Sequence, residues 1–260
     1  MTPTPPTTPA HEVIIEFRRV GKRFGDNIVL DGVDLAVRQR EICFIIGKSG
    51  AGKSVLVKHL VGLLRPDTGQ IVYRGEDITH KSERDFYPLR HRCTYVFQHS
   101  TLFDSMTLQE NVALPLRKHR GLSHRDSLDA AMTYLARVQM ESLAARRPAD
   151  VGDGLRKRVA IARALTLDPE VIVFDEPTTG LDPISAVNVD RLIRTLSDEV
   201  GVTSLVVSHD LRSIFTVADR IVMLYQGRIR LDGTPAAYRA TDDPIVRQFV
   251  DGEPDGPMEL

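Results

Sequence analysis

A chain of 260 residues with 42% hydrophobic side chains can bury a core of ordinary size. That excludes disorder over most of its length and points to one large domain, or a domain carrying a lobe. A formal net charge of -1 supplies no broad basic field, so nucleic acid is not expected as a partner.

In chain order, residues 1–10 are rich in Thr and Pro and hold no apolar run, so they read as a disordered tail, neither signal peptide nor membrane anchor. Residues 13–17 and the alternating Val33, Leu35 and Val37 predict half-buried strands separated by a turn at Gly25, Asp26 and Asn27. An antiparallel β layer is therefore expected first. Residues 42–46 are continuously apolar, as a strand covered on both faces must be, and a glycine loop and a helical pattern over 54–64 follow. This opens a parallel α/β core, and the strand-like residues 71–73 are expected to continue its sheet.

From about 100 to 167 the pattern turns mostly helical, with Leu128, Ala131, Met132, Leu135 and Val138 spaced as one helix face. An inserted helical lobe is predicted there. Strands resume at 171–174, 204–207, 221–225 and 228–231, the last two joined at Gln226 and Gly227, a pair suited to a hairpin. Neither apolar run, 42–46 or 171–174, approaches the roughly 20 residues that cross a bilayer. The two cysteines, Cys43 and Cys93, lie in strand-like runs, which argues for a reducing compartment and against a disulfide framework.

Gly47, Lys48, Ser49, Gly50, Ala51, Gly52, Lys53 and Ser54 fit G-x-x-x-x-G-K-[ST] between a buried strand and a helix, the context that makes the pattern a phosphate loop. Glycines let successive N–H groups converge on an anion, and the helix N-terminus adds positive potential. Lys53 is placed to reach the β- and γ-phosphates and Ser54 to bind Mg²⁺. A second apolar run ends in Asp175 and Glu176, at the sheet edge where α/β folds bind ligands. Asp175 is suited to hold Mg²⁺ through water, and Glu176 to orient or deprotonate an attacking water. His209 ends a third run and can hydrogen-bond a γ-phosphate; Gln98 follows a fourth and can touch Mg²⁺ or the water.

Together, these residues resemble the nucleotide-binding domain of ABC transporters. Walker A is Gly47 to Ser54, the Q-loop holds Gln98, Walker B ends at Asp175 and Glu176, a D-loop holds Asp182, and His209 is the switch histidine. The resemblance covers residues 13–233 and implies a mixed-sheet α/β P-loop fold with an N-terminal antiparallel layer. It implies a cassette over 11–240, the helical lobe inserted at about 100–167, and a C-terminal extension over 241–260. ATP and Mg²⁺ would be bound, with Val55 and Phe24 joining the loop around the nucleotide and Phe24 stacking on adenine. The partners implied are a membrane permease, whose cytoplasmic helix would enter a groove near residues 98–106, and a second ATPase subunit.

Residues 102–107 and 110–117, with the tail at 246–252, are similar to the Mla/Mce-type phospholipid-transport ATPases. That branch implies work at the cytoplasmic face of the inner membrane, an Mce-domain lipid-binding partner, and a tail that clasps the neighbouring ATPase subunit. An ATPase for amino-acid or other small-solute import is the alternative. Soluble cassettes of translation or DNA repair carry tandem copies or a long coiled coil, and the sequence has neither.

One motif departs from the family. The signature, ordinarily Leu-Ser-Gly-Gly, is here Val151, Gly152, Asp153, Gly154, so the hydroxyl that would touch the γ-phosphate on the other subunit is missing. A carboxylate at Asp153 about 5 Å from that phosphate, at an effective dielectric near 20, would be opposed by roughly 3 kcal/mol per charge pair. Alternatively Asp153 turns away as a helix N-cap. Slow hydrolysis, a nucleotide-dependent regulatory role, or a heterodimer with one intact signature follows from the first reading.

Overall fold

The computed structural model describes residues 12–258; the tail expected over 1–10 lies outside them. Strands β1 (Val13–Phe24) and β2 (Asn27–Arg38) form an antiparallel hairpin in which Phe17 faces Leu35 and Val20 faces Val33. On the other side of β1 comes β4 (Thr68–Tyr73), followed by β5 (Glu76–Asp77), completing a four-stranded layer of order β2-β1-β4-β5.

The strand expected at 71–73 thus joins the antiparallel layer and not the parallel sheet. The connection before it decides this. Asp67 accepts hydrogen bonds from the Arg23 amide at 2.7 Å and Lys22 Nζ at 2.9 Å, while its own amide donates to Gly21 O at 2.8 Å. The chain is tied to the end of β1 before β4 starts. Helix α1 (Lys53–Leu60) is also shorter than the 54–64 pattern, because Gly62 enters the left-handed region at φ +68°.

The second sheet has six strands in the order β10-β9-β3-β8-β7-β6. They are β3 (Ile42–Ile46), β6 (Cys93–Val96), β7 (Val171–Asp175), β8 (Thr203–Val207), β9 (Arg220–Tyr225) and β10 (Arg228–Gly233). The first five in space after β10 run parallel; β10 returns antiparallel through Gln226 and Gly227, both at positive φ. Every residue of β3, β7 and β8 is buried. Successive side chains alternate between two cores: Ile42, Phe44 and Ile46 enter the one built with the helices, Cys43 and Ile45 the one shared with the antiparallel layer. Each buried aliphatic side chain contributes about 2 kcal/mol, which is why this sheet needs unbroken apolar runs. Burial raises the thiol pKa of both Cys43 and Cys93, and both are free.

Helix α2 (Glu83–Arg92) leads into β6. The segment between β6 and β7 holds α3 (Leu108–Arg120), α4 (His124–Arg137) and α5 (Asp153–Leu165). Ala131, Leu135 and Val138 are buried, with Leu128 and Met132 packed beside them. At its start, fully buried Asn111 clamps residues 103–107: its Oδ1 accepts from the Phe103 amide at 2.7 Å, and Nδ2 donates to the carbonyls of Phe103 and Thr107, both at 3.0 Å.

Helices α6 (Pro183–Thr195), α7 (Leu211–Val217), α8 (Pro235–Ala240) and α9 (Pro244–Asp251) complete the fold. Val246 of α9 is fully buried on the same chain's core. The residues beyond α9 turn back, the Met258 amide donating to Gln248 Oε1 at 2.6 Å. Among the described residues no helix is long and apolar enough to cross a membrane.

Candidate nucleotide site

The carboxyl ends of β3, β7 and β8 open into a cleft of about 630 Å³. It brings together Phe24, Gly47, Lys48, Ser49, Gly50, Gly52, Lys53, Ser54, Val55, Gln98, Glu176 and His209. Ala51 lines a smaller adjoining cavity with Lys48 and Gly50. These residues come from both sheets and from the carboxyl ends of four parallel strands, yet converge on one space of the size that small-molecule sites occupy.

The phosphate loop is shaped by its first glycine. Gly47 adopts φ +143°, and a Cβ there would lie 2.3 Å from the carbonyl oxygen of Leu224 on β9, closer than any real contact. Only glycine lets the loop pass so near the sheet. At the loop's other end α1 begins with no side-chain cap and no acid in its first turn, leaving its N-terminal amides and positive dipole end suited to an anion. Lys53 is buried, and its Nζ donates to the Gly47 and Lys48 carbonyls at 2.8 and 3.0 Å. Burial lowers its pKa, opposed by the carboxylates of Glu176 and Asp175. The ammonium is thus held in place by the loop it would serve.

Ser54 Oγ donates to Asp175 Oδ1 at 2.7 Å, and Tyr95 Oη donates to Asp175 Oδ2 at 2.6 Å. Burial first, and then Asp175, raises the Tyr95 pKa, keeping the phenol a donor. A hydroxyl and a carboxylate side by side form the hard oxygen donor set that Mg²⁺ takes, so the residues present fit that ion. The neighbouring Glu176 adopts φ +50°, a conformation costly for a non-glycine residue and concentrated at functional sites. Its amide is held by Val207 O at 2.9 Å, and its Oε2 accepts from Thr179 Oγ1 at 2.9 Å. His209 Nδ1 lies 2.9 Å from the same oxygen. A carboxylate and an imidazole therefore meet at the mouth of the glycine loop.

Gln98 reaches the cleft on a loop anchored from behind: Lys157 Nζ donates to the carbonyls of Phe97 at 2.8 Å and of Gln98 at 2.6 Å. Phe24 is 48% exposed on the cleft's rim, with Lys22 Nζ 5.4 Å from its ring centroid, so one aromatic face is available to a base. Phe249 of α9 lines the same cleft.

Gly152, Asp153 and Gly154 are not part of this cleft. They begin α5, and Asp153 lines a separate cavity of about 420 Å³ with Gln98, Lys157 and Gly180. The N-cap is Gly152, not Asp153, which corrects the capping alternative: Asp153 is already helical, and its carboxylate pairs with Arg156 at 2.6 Å while staying 68% exposed. A surface pair of this kind stabilises by under about 1 kcal/mol. An added Cβ at Gly154 would come within 2.6 Å of Ser185, whereas nothing lies within 4 Å of one at Gly152. Asp182 caps α6, accepting from the Ile184 and Ser185 amides at 3.0 Å each.

Sequence reasoning missed Tyr95, Thr179, Lys157 and the place of Phe249. Lys157 carried a signal, since it shares the apolar face of α5 with Ala160 and Ile161 at helical spacing, where a cation needs a buried partner. Tyr95 and Phe249 carried none, their partners lying far away in the chain, and Thr179, three residues from its partner Glu176, sits in no pattern that marks the contact.

Fold and site together define a P-loop nucleotide-binding cassette. The ABC transporter family matches residues 30–179, and the chain belongs to that family, whose cassettes bind and hydrolyse ATP. It is 36% identical over 247 residues to the intermembrane phospholipid transport system ATP-binding protein MlaF of Haemophilus influenzae, a match covering 95% of this chain and 94% of that one. MlaF of Escherichia coli K12 is 37% identical over 245 residues, covering 94% and 91%. The probable ribonucleotide transport ATP-binding protein mkl of Mycobacterium tuberculosis is 37% identical over 248 residues, covering 95% and 69%. Among solved structures, a dimeric post-hydrolysis ATP-binding cassette bound to ADP and Pi superposes with a TM-score of 0.78 at 30% identity, covering 85% of this chain and 99% of that one. The CbiO1 protein of Clostridium perfringens, part of an ABC transporter complex, gives a TM-score of 0.81 at 26% identity, covering 94% and 96%.

Proposed function

We propose that this chain is the ATP-hydrolysing subunit of a transporter that moves phospholipid across the bacterial cell envelope. The observation that carries the cargo is identity to the MlaF proteins over more than nine-tenths of both chains. ATP lies in the cleft with its phosphates on residues 47–54, and Ser54, Asp175 and Gln98 hold Mg²⁺, which neutralises phosphate charge. Glu176 orients the water and His209 meets the γ-phosphate. Two subunits close around the nucleotides, each presenting residues 152–154 to the other's site, and the pair sits beneath a permease at the cytoplasmic face with an Mce-domain protein as lipid carrier. Small polar solutes are the second reading, favoured by the 37% identity to the mkl protein. Purifying the membrane complex and identifying its bound molecules tests the cargo: phospholipid is expected, and a ribonucleotide or other small solute bound in its place would overturn it.

In this reading the altered signature slows turnover, because Gly152 offers no hydroxyl and Asp153 brings negative charge. Arg156 compensates only in part. The double variant Gly152→Ser, Asp153→Gly is expected to raise steady-state phosphate release about tenfold, equivalent to about 1.4 kcal/mol, and the space around Gly152 accepts the serine. An unchanged rate in the double variant would remove the signature from the explanation.

A further inference from the structure

The loop that carries Gln98 is strapped to α5 at both ends. Lys157, only 2% exposed, donates to the carbonyls of Phe97 and Gln98. Further along the same helix, Arg163 donates through Nη1 to Thr101 O at 3.0 Å, and through Nη2 to Ser100 O at 3.4 Å and Thr101 Oγ1 at 3.1 Å. Thr101 is held at φ +47°, away from the conformation a threonine prefers. Two cations of one helix thus occupy the carbonyls of Phe97, Gln98, Ser100 and Thr101.

This arrangement is not what stability alone selects. Burying an ammonium without a carboxylate partner is unfavourable, and apolar replacements of buried charges are often neutral or stabilising. Burial lowers the Lys157 pKa to about 8, with Asp175 and Asp153 opposing that only from a distance. What the cation does accomplish is geometric. Its helix begins at residues 152–154, and Asp153 lies one turn before Lys157 on the same face. The strap therefore joins the segment meant for the other subunit's nucleotide to the glutamine that reaches its own.

We propose that Lys157 and Arg163 are positioning residues that make the Gln98 loop and the signature helix one rigid piece, so that Gln98 enters the nucleotide cleft only as far as α5 allows. The inference rests on the reading that Gln98 meets the nucleotide's metal or water. Lys157 acts through Gln98, so its removal should affect the chemical step more than ATP affinity.

The test is a double-mutant cycle on the full chain with Lys157→Met, Gln98→Ala and both together, following ATP turnover, MgATP affinity by calorimetry, and amide exchange over 97–101. Lys157→Met is expected to lower kcat roughly tenfold, with KM changed less than about twofold, and to cost less than about twofold more when Gln98 is already alanine. Lys157→Arg, which keeps charge and donors, should recover most of the rate. Costs that multiply in the double variant would mean that Lys157 acts independently of Gln98, and the proposal would fall. If Lys157→Met does not fold, the cycle is run with Arg163→Lys on the same criterion. Should the wild-type chain show no turnover, the ATPase reading fails, and the strap is judged on exchange alone: amides 98–101 no faster in either variant would overturn it.

Discussion

Glu176→Gln is expected to reduce ATP turnover roughly 10²- to 10⁴-fold, the range lost with a general base, while MgATP still binds. The geometry separates the two effects. Glu176 reaches the cleft because β7 ends one residue earlier and the chain then turns through φ +50°, its amide fixed by Val207 O at 2.9 Å. The turn depends on the backbone, which glutamine leaves intact. Glutamine's carbonyl oxygen can also keep the hydrogen bond that Thr179 Oγ1 now donates. What glutamine lacks is the ability to take a proton from water and the negative charge that draws on His209, 2.9 Å away. Phosphate-release kinetics alongside calorimetry with MgATP would measure both quantities. A variant retaining more than about a tenth of wild-type turnover would show that the base lies elsewhere.

Gly47→Ala should abolish nucleotide binding, whereas Gly50→Ala in the same loop should be tolerated. At Gly47 an added Cβ would lie 2.3 Å from the carbonyl oxygen of Leu224, itself fully buried within β9, and φ is +143°. Relief requires the loop to lift off the sheet, taking with it the Gly47 and Lys48 carbonyls that hold Lys53 Nζ. A loss of affinity of about 100-fold or more follows, with destabilisation of about 3 kcal/mol, within the range for strained special backbone positions. At Gly50 nothing lies within 4 Å of the added carbon; only the left-handed backbone opposes alanine, costing about 1 to 2 kcal/mol. Calorimetry and thermal unfolding of the pair would measure the contrast, and equal affinities would refute the close-approach argument.

What could be read directly from residue order was whatever is local in the chain. Unbroken apolar runs marked β3, β7 and β8, because a strand covered on both faces has no position for a polar side chain. The phosphate loop is contiguous, so its glycines, Lys53 and Ser54 could be placed between a strand and a helix before any tertiary contact was known. Asp175, Glu176, His209 and Gln98 were legible because each ends or follows a strand, and strands of a parallel sheet end on the same side.

Choices between distant partners belong to the tertiary structure. Residues 71–73 read as a strand but could not name their sheet, which the Asp67 clamp on β1 decides. Tyr95 finds Asp175 only because β6 and β7 pair in register, and Phe249 enters the cleft only because α9 folds back onto the core. At α5 the sequence showed an aspartate where a cap was possible, but the helix starts one residue earlier than that reading needs, with Gly152 as the cap and Asp153 inside it. Periodicity reports which side of an element is buried, since that depends on neighbours a few residues away. Which surface buries it depends on long-range contacts that no local pattern encodes.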